Sequence, residues 1–405
     1  MSEWRRSTWG EEVSLEYGKA LRGYVDRAGG VRVFGANGPI GWTDRPLADG
    51  PGVILGRKGA YRGVHYSRGP FFVIDTAYYV VPRTPMDMRW LYYAVIHYGL
   101  GLIDDGSPIP STTRAAVYLR EIHVPPIDQQ ESIARVLASL DDKIDHNDRL
   151  AQLLADICWA LFRSWFVSFD PVHARRAGHR SFPSMDQGLF DSLPRDFVDS
   201  PLGPIPKGWR VEPISELVGV RGGGTPSTKN STFWDGGTRC WATPRDLSRL
   251  SHPILLDTER HITQAGVDRI SSGLLPPGTV LMSSRAPVGY LALAGVPTAV
   301  NQGFIAMECD RELPGIFILH WARSAMDEIR ARASGTTFPE ISKKNFGPIL
   351  VAVPPNELVE HFSSVANAHF DLIRACLLEN ARLSELRTYL LPRLMSGKVR
   401  VGANG

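Results

Sequence analysis

The sequence predicts an α+β protein: two mixed α/β globes joined by two long antiparallel coiled-coil helices, closed as a pseudo-two-fold ring. Three observations lead there. Residues 106–170 and 335–399 repeat one another without a gap, at a constant separation of 229 residues. Each repeat contains a heptad ladder long enough to need a helical partner. The segments before the two ladders, about 1–124 and 208–353, both show short β-like runs punctuated by Gly and Pro.

The repeat is carried by identical residues at matching places. Pro125-Pro126 answers Pro354-Pro355, and Gly106, Pro110, Val124, Glu131, Val136, Asp142, Ile144, Leu154 and Leu161 answer Gly335, Pro339, Val353, Glu360, Val365, Asp371, Ile373, Leu383 and Leu390. A duplication of this length means two structural units in one polypeptide. Within each copy a short apolar run (Ile122–Val124; Ile349–Val353) is broken by Pro-Pro and followed by a helix, to about Ser168 and Met395 respectively.

The first helix places Ile133, Leu140, Asn147, Leu154 and Leu161 seven apart, and the second Phe362, His369, Cys376, Leu383 and Leu390. Val136, Ile144, Leu150 and Ile157, and Val365, Leu372 and Leu386, fill the intervening positions to within one residue. Helices of roughly 30–36 residues are about 45–54 Å long. Each offers one apolar stripe, and the other helix is the obvious partner. Asn147 on the seam either fixes register at a cost in stability or is a partly solvated polar position.

The expected divisions are a first globe at 1–124, a central helix at 125–168, a linker at 169–207, a second globe at 208–353, a distal helix at 354–399 and a tail at 400–405. The globes correspond weakly: Gly52, Gly63 and Ile74-Asp75 answer Gly278, Gly289 and Val300-Asn301. Strand-like runs are Gly52–Leu55, Phe71–Val81, Thr279–Ser283 and Ala299–Ala306, with helical stretches at Met88–His97 and Gly315–Arg332.

Composition sets limits. The 405 residues allow two or three domains, and 43% hydrophobic with 21% charged residues is ordinary for a globular protein. A net charge of +3 permits nucleic-acid binding through local patches without announcing it. Cys158, Cys240, Cys309 and Cys376 are far apart, which reads as a reducing compartment without structural zinc. The charged N-terminus lacks the apolar core of a signal peptide, and no apolar run is read as a membrane span, so the expected location is cytoplasmic. No phosphate loop, dinucleotide fingerprint, zinc signature or nucleophile elbow occurs. The Pro-Pro pairs, in Val-Pro-Pro-Ile and Val-Pro-Pro-Asn, lack the form in which amino-methyltransferases hold a flipped base. The sequence therefore offers no catalytic residue and no metal ligand set.

What it offers is binding groups. In the second globe, a polar loop from Gly224 to Gly237 contains Thr225, Ser227, Lys229 and Asn230 and is closed by aromatics. Trp241, Arg245, Ser284, Arg285, Asn301 and Gln302 follow. Arg suits guanine edges, Asn and Gln suit adenine, and hydroxyls suit phosphates. In the first globe, Arg57, Lys58, Tyr61, Arg62 and Arg68 form a basic loop interleaved with aromatics, suited to a phosphate backbone. Asn37, between Gly35 and Gly38, reads a base or caps a turn. On these residues alone a two-site DNA-binding module, a scaffold built on the helices, and an enzyme with an unrecognised site all stay open.

The chain resembles the specificity subunit of type I restriction–modification systems. The residues that carry the resemblance are Tyr17-Gly-Lys-Ala, Gly35-Ala-Asn-Gly38, Val124-Pro-Pro with Gln129 and Gln130, and Phe169-Asp-Pro-Val172. After them come Gly203-Pro-Ile-Pro-Lys-Gly-Trp209, Gly224-Thr-Pro-Ser227 with Phe233-Trp234, Asn301-Gln-Gly303, Ser334-Gly-Thr336, Ile341-Ser342, Val353-Pro-Pro and Leu394-Met-Ser-Gly-Lys398. The chain departs from the family's Glu-Gln after Pro-Pro, having Asp128-Gln-Gln-Glu131 and Glu357-Leu-Val-Glu360. The resemblance implies two target-recognition domains, each reading half of a bipartite, asymmetric site in double-stranded DNA, with the helices as the spacer between them. It implies two modification (methyltransferase) subunits docked on the helices, and restriction (translocase and nuclease) subunits as further partners. This chain would be non-catalytic and hold no cofactor. S-adenosylmethionine would belong to the methyltransferase, and ATP and Mg to the restriction subunit.

Overall fold

The structure is a computed structural model, and it describes residues 4–24, 29–104, 106, 110–335 and 339–401. Thr336 of the Ser334-Gly-Thr motif, part of the polar stretch in each repeat and most of the 400–405 tail lie outside the described residues. The chain divides into two compact units, Met1–His146 with Glu379–Gly405, and Asn147–Leu378. Both cuts fall inside a long helix, so each unit is a globe plus one end of each helix. The compact units group each globe with helix ends because apolar side chains of helix and globe share cores. In the first unit Ile133, Ala134, Leu137, Leu394 and Met395 belong to one cluster with Trp9, Val53, Trp90 and Leu91.

The first unit contains β1 (Arg5–Thr8), β2 (Val13–Tyr17), β3 (Val31–Gly35), β4 (Gly38–Thr43), β5 (Gly52–Gly56), β6 (Val64–Ser67), β7 (Phe71–Val73), β8 (Ala77–Pro82) and β9 (Glu121–Val124). They form an antiparallel pair β1-β9, a four-stranded sheet ordered β2-β8-β5-β6 and a three-stranded sheet ordered β4-β3-β7. In the last, β3 and β7 run parallel. All five residues of β5, Gly-Val-Ile-Leu-Gly, are buried. A Cβ on Gly52 would meet the Phe71 ring at 2.2 Å, so only glycine lets that ring close over the strand. The helix Met88–His97 starts where Asp87 accepts the Trp90 N–H at 2.7 Å and buries Trp90, Leu91, Tyr93, Ala94 and Val95.

The second unit contains β10 (Phe197–Val198), β11 (Ile205–Pro206), β12 (Arg210–Pro213), β13 (Gly219–Arg221), β14 (Arg239–Ala242), β15 (Ile254–Leu255), β16 (His261–Ile262), β17 (Val280–Ser283), β18 (Leu291–Ala294), β19 (Thr298–Val300), β20 (Phe304–Glu308) and β21 (Leu350–Val353). The plan of the first unit returns. There is an antiparallel pair β12-β21, a sheet ordered β13-β20-β17-β18 with β15 added, and a sheet ordered β16-β14-β19. Again the central strand, here β14, runs parallel to one edge strand, β19. The duplication thus extends through the globes, where the sequence shows it only weakly.

Two runs read as single strands are each two. Phe71–Val81 breaks at Ile74–Thr76, and Ala299–Ala306 breaks at Asn301–Gly303. At both breaks the chain leaves the three-stranded sheet and enters the larger one. Asn301 makes the second turn by accepting the Gly303 N–H on its own side chain at 2.8 Å. The stretch Gly315–Arg332 is also two helices, Gly315–Ser324 and Met326–Ala331. The segment read as a linker, 169–207, is folded. Short helices at Asp170–Arg176 and Gln187–Ser192 bury Val172, Leu189 and Phe190 in the unit's main core.

The long helices span Ile127–Phe162 and Asn356–Met395, the first ending in a π-type turn at Arg163–Val167. Within each unit their ends pair antiparallel. In the first, Lys143 Nζ lies 3.1 Å from Glu379 and Asn380 Nδ2 donates to Ile144 O at 3.5 Å. In the second, Cys158 Sγ lies 3.5 Å from His369 Nδ1 and the Phe162 and Phe362 rings meet edge-on at 5.7 Å. Ile133, Asn147, Leu154, Phe362 and Cys376 are buried, and Leu140, Leu161, His369, Leu383 and Leu390 half-buried. The alternate row differs from expectation by one residue. Leu137, Ala151, Cys158, Ala366 and Ile373 face inward, whereas Ile157, Leu372 and Leu386 are 38%, 45% and 44% exposed. A seven-residue repeat has steps of three and four, and their order sets the phase of the second row. By length and composition, an 18-residue stretch within Ile127–Val167 could cross a membrane, which the sequence reading did not recognise. Here its inward residues pack on the C-terminal helix and on the second globe.

Candidate nucleic-acid interface

In the second unit, parallel β14 and β19 end side by side at Ala242 and Val300. The residues that follow therefore emerge together. Asn301 N donates to Ala242 O at 3.0 Å, and Gly224 N donates to Val300 O at 2.9 Å. Gly223 is pressed so closely on this backbone that a Cβ would lie 2.0 Å from Val300 O. The Thr225 hydroxyl hydrogen-bonds Gln302 Oε1, tying the polar loop to the Asn301–Gly303 turn. The end of β17 joins them, because Ser284 N donates to Gly303 O at 2.8 Å. Four segments distant in sequence thus converge at one edge: 223–230, 243–246, 284–285 and 301–303.

The individual residues divide by exposure and partner. Thr225, Ser227, Lys229, Asn230, Arg245 and Gln302 are exposed, and Arg285 and Asn301 half-buried. Arg245 lies 3.7 Å from Glu259, and Arg285 lies 3.8 Å from Glu340. Asn230 spends its side-chain oxygen on Thr232 N at 3.1 Å. Two residues read as contacts face inward instead. Trp241 is 3% exposed and donates its indole N–H to Gly224 O at 3.1 Å, so it braces the polar loop from below. Ser284 is likewise 3% exposed. Strand β14 is buried on both faces from Cys240 to Ala242, and Trp241 packs with Ile262, Val267 and Ile270 on one of them, a covering that the sequence alone did not reveal. The reading also missed Arg260, whose guanidinium sits 3.9 Å from the Trp234 ring centre and 5.3 Å from that of Trp241.

The same edge of the first unit repeats the construction. Ile74 N donates to Phe34 O at 2.9 Å, Gly63 N to Ala36 O at 2.8 Å, and Arg57 N to Thr76 O at 2.9 Å. Asn37 is exposed in the two-residue turn between β3 and β4. Lys58 and Tyr61 are exposed, Tyr61 by 79%, and Arg57 and Arg62 are half-buried. Among the described residues none of Arg57, Lys58 and Arg62 forms an ion pair, which leaves three uncompensated cations at this edge. Arg57 lies 5.0 Å from the Tyr17 ring, and Arg114, which the sequence reading passed over, lies 4.1 Å from the same ring. Arg68 is separate from this group. It pairs with Asp142 and Asp145 of the central helix, so its charge is already neutralised.

The comparisons with known proteins agree with this architecture. Residues 206–370 match the type I restriction modification DNA specificity domain. The chain is 32% identical over 193 residues to the specificity subunit of the type I restriction enzyme MjaIX of Methanocaldococcus jannaschii, covering 47% of this chain and 44% of that one. It is 24% identical to the HindI specificity subunit of Haemophilus influenzae, over 72% of this chain and 71% of that one. The crystal structure of a type I system S subunit from M. genitalium superposes with a TM-score of 0.63 at 15% identity, covering 96% of each chain, and shows the same fold. Residues 206–370 are thus similar to a type I restriction modification DNA specificity domain, and the chain spans less than half the length of the MjaIX subunit that it matches at 32% identity.

Proposed function

We propose that the chain is the DNA sequence-specificity subunit of a type I restriction–modification complex. The carrying observation is one sheet order built twice with unlike loops at equivalent edges. Residues after β14, β17 and β19 form one reader, and residues after β3, β5 and β7 form the other. Because the loops differ, the site read is bipartite and asymmetric. Lys58, Arg57 and Arg62, and Lys229 in the other unit, hold phosphates. Asn37, Asn301, Gln302 and Arg285 present the groups that distinguish base edges.

The chain performs no catalysis and binds no reaction cofactor in this reading. Methyltransferase subunits, which hold S-adenosylmethionine, dock on the two helices, and restriction subunits complete the assembly. The outward apolar residues Leu153, Ile157 and Leu372, exposed by 58%, 38% and 45%, suit such docking. The direct test is a map of methylated bases in cells expressing the chain with its methyltransferase. A split, non-palindromic methylated motif is expected, and a single uninterrupted or palindromic motif would refute the two-reader reading.

A further inference from the structure

The spacing of the cysteines gives no hint of a metal centre, yet folding brings one cysteine to a histidine and an aspartate. Cys240 on β14 stands directly opposite His261 on β16 in the antiparallel ladder. Asp257 lies one turn of chain before His261. The Cys240 Sγ, a carboxylate oxygen of Asp257 and a ring nitrogen of His261 all lie within 4.8 Å of one another. Cys240 Sγ is 3.7 Å and His261 Nε2 is 2.9 Å from Asp257 Oδ1.

We propose that Cys240, Asp257 and His261 bind a divalent transition ion of the zinc class. Zinc takes thiolate sulfur at about 2.3 Å and imidazole nitrogen or carboxylate oxygen at about 2.0–2.2 Å in a tetrahedral arrangement. Ligand atoms around such an ion stand roughly 3–4 Å apart, and the two separations from Asp257, 3.7 and 2.9 Å, need only small side-chain adjustments to match. One sulfur, one nitrogen and one oxygen donor is a set that selects zinc, cobalt or nickel over magnesium or calcium. Cys240 is 9% exposed and fixed on a strand, whereas Asp257 is open to solvent and His261 partly so. The ion thus has a preformed wall on one side and an entry path on the other. Three protein ligands leave the fourth position to water.

The surrounding bonds support a structural task. Asp257 Oδ1 accepts the Thr258 N–H at 2.8 Å, orienting the carboxylate. Thr258 Oγ1 accepts the N–H of Trp241, the residue that braces the Gly224 loop. An ion here clips the 257–261 segment to β14 immediately beside that brace. It also neutralises an exposed carboxylate.

The test uses the full chain, purified without a histidine tag, stripped with a chelator and titrated with Zn²⁺ alone by calorimetry and with Co²⁺ alone by absorption. One equivalent should bind, and Co²⁺ should show the near-ultraviolet band of a thiolate ligand. Cys240→Ala and His261→Ala should each weaken binding by more than about 100-fold, beyond the ~10–100-fold typical of residues that merely support a ligand. Cys309→Ala should leave it unchanged. His261 is partly exposed, so its variant keeps the test decisive if Cys240→Ala fails to fold. Metal uptake that is substoichiometric, or equal in wild type and the His261→Ala variant, would overturn the proposal and leave a hydrogen-bonded triad. Neither result depends on whether the chain reads DNA.

Discussion

Arg387 of the C-terminal helix donates to Asp141 of the central helix at 2.7 Å, and Asp141 is the hub of its unit. Its other carboxylate oxygen accepts the Tyr93 hydroxyl at 2.6 Å and faces Arg89 at 3.4 Å. Burial first, and this acceptor second, push the Tyr93 phenol up, so it remains a donor. One carboxylate thus fixes the pairing of the two helices and ties both to the helix Met88–His97.

Asp141→Ala should therefore cost about 1–3 kcal/mol, the range for leaving a buried hydrogen-bonding group unsatisfied, because Arg387 is 39% exposed and can turn to solvent. It strands the Arg387 guanidinium and the Tyr93 phenol, while Arg89 keeps Asp142 at 3.3 Å. Asp141→Asn keeps an acceptor and should cost less. Denaturant melts of both variants check the order, and a loss under ~1 kcal/mol for Asp141→Ala would remove its standing as a hub.

Seven residues inserted between Leu137 and Asp141 would shift one helix by about 10.5 Å past the other. Asp141 could no longer meet Arg387 while Ile133 keeps its place in the core. The single insertion should abolish folding or assembly, visible by circular dichroism and by loss of copurified methyltransferase. Matched insertions in both helices should restore assembly and lengthen the spacer of the methylated motif. An unchanged spacer would count against the helices as its ruler.

Arg285→Ala or Asn301→Ala should alter the bases read in one half-site only, since each reading edge is built within its own unit. Methylation mapping of each variant reads this directly, and equal changes in both half-sites would contradict modular reading.

Lys58→Ala and Arg62→Ala should weaken binding to all sequences alike. Each should lower the slope of log K against log salt by about 1, as expected when one phosphate contact is lost. Arg68→Ala should leave that slope unaltered, because Asp142 and Asp145 already neutralise the charge. Filter-binding or anisotropy titrations from low to moderate salt separate the two behaviours.

Acid sensitivity has a local source at Glu12. Burial pushes its carboxyl up, but hydrogen bonds from Arg5, Ser7 and Thr84 outweigh this and hold it at about 2. A depressed value stabilises the fold above the ordinary carboxylate pKa of about 4.3. That contribution is lost as pH falls from there through about 2. Glu12→Gln should be less stable than wild type at neutral pH, and the gap should close at low pH. A gap that persists unchanged to the lowest pH would exclude the carboxylate as its cause.

The helices and their partnership were legible because a heptad repeat is a local pattern, written at fixed intervals along one chain. Its second row was placed one residue off, since the phase is settled only when the partner is present. The candidate edges were half legible. Asn301, Gln302 and Arg57 stood out by residue type, but Trp241 and Ser284 were indistinguishable from surface residues until tertiary packing covered them. Arg68 looked like a phosphate ligand because its carboxylate partners lie more than 70 residues away on a different element.

The sequence by itself determined that there are two units, that each sends a helix to a partner, and which residue types are available to bind. The first two follow from repetition and periodicity, which need no third dimension. The tertiary structure decided which of those residues share an edge, which are spent on one another, and that Cys240 meets His261. Sheet order and cross-strand register set these distances, and neither is encoded in any single stretch of chain.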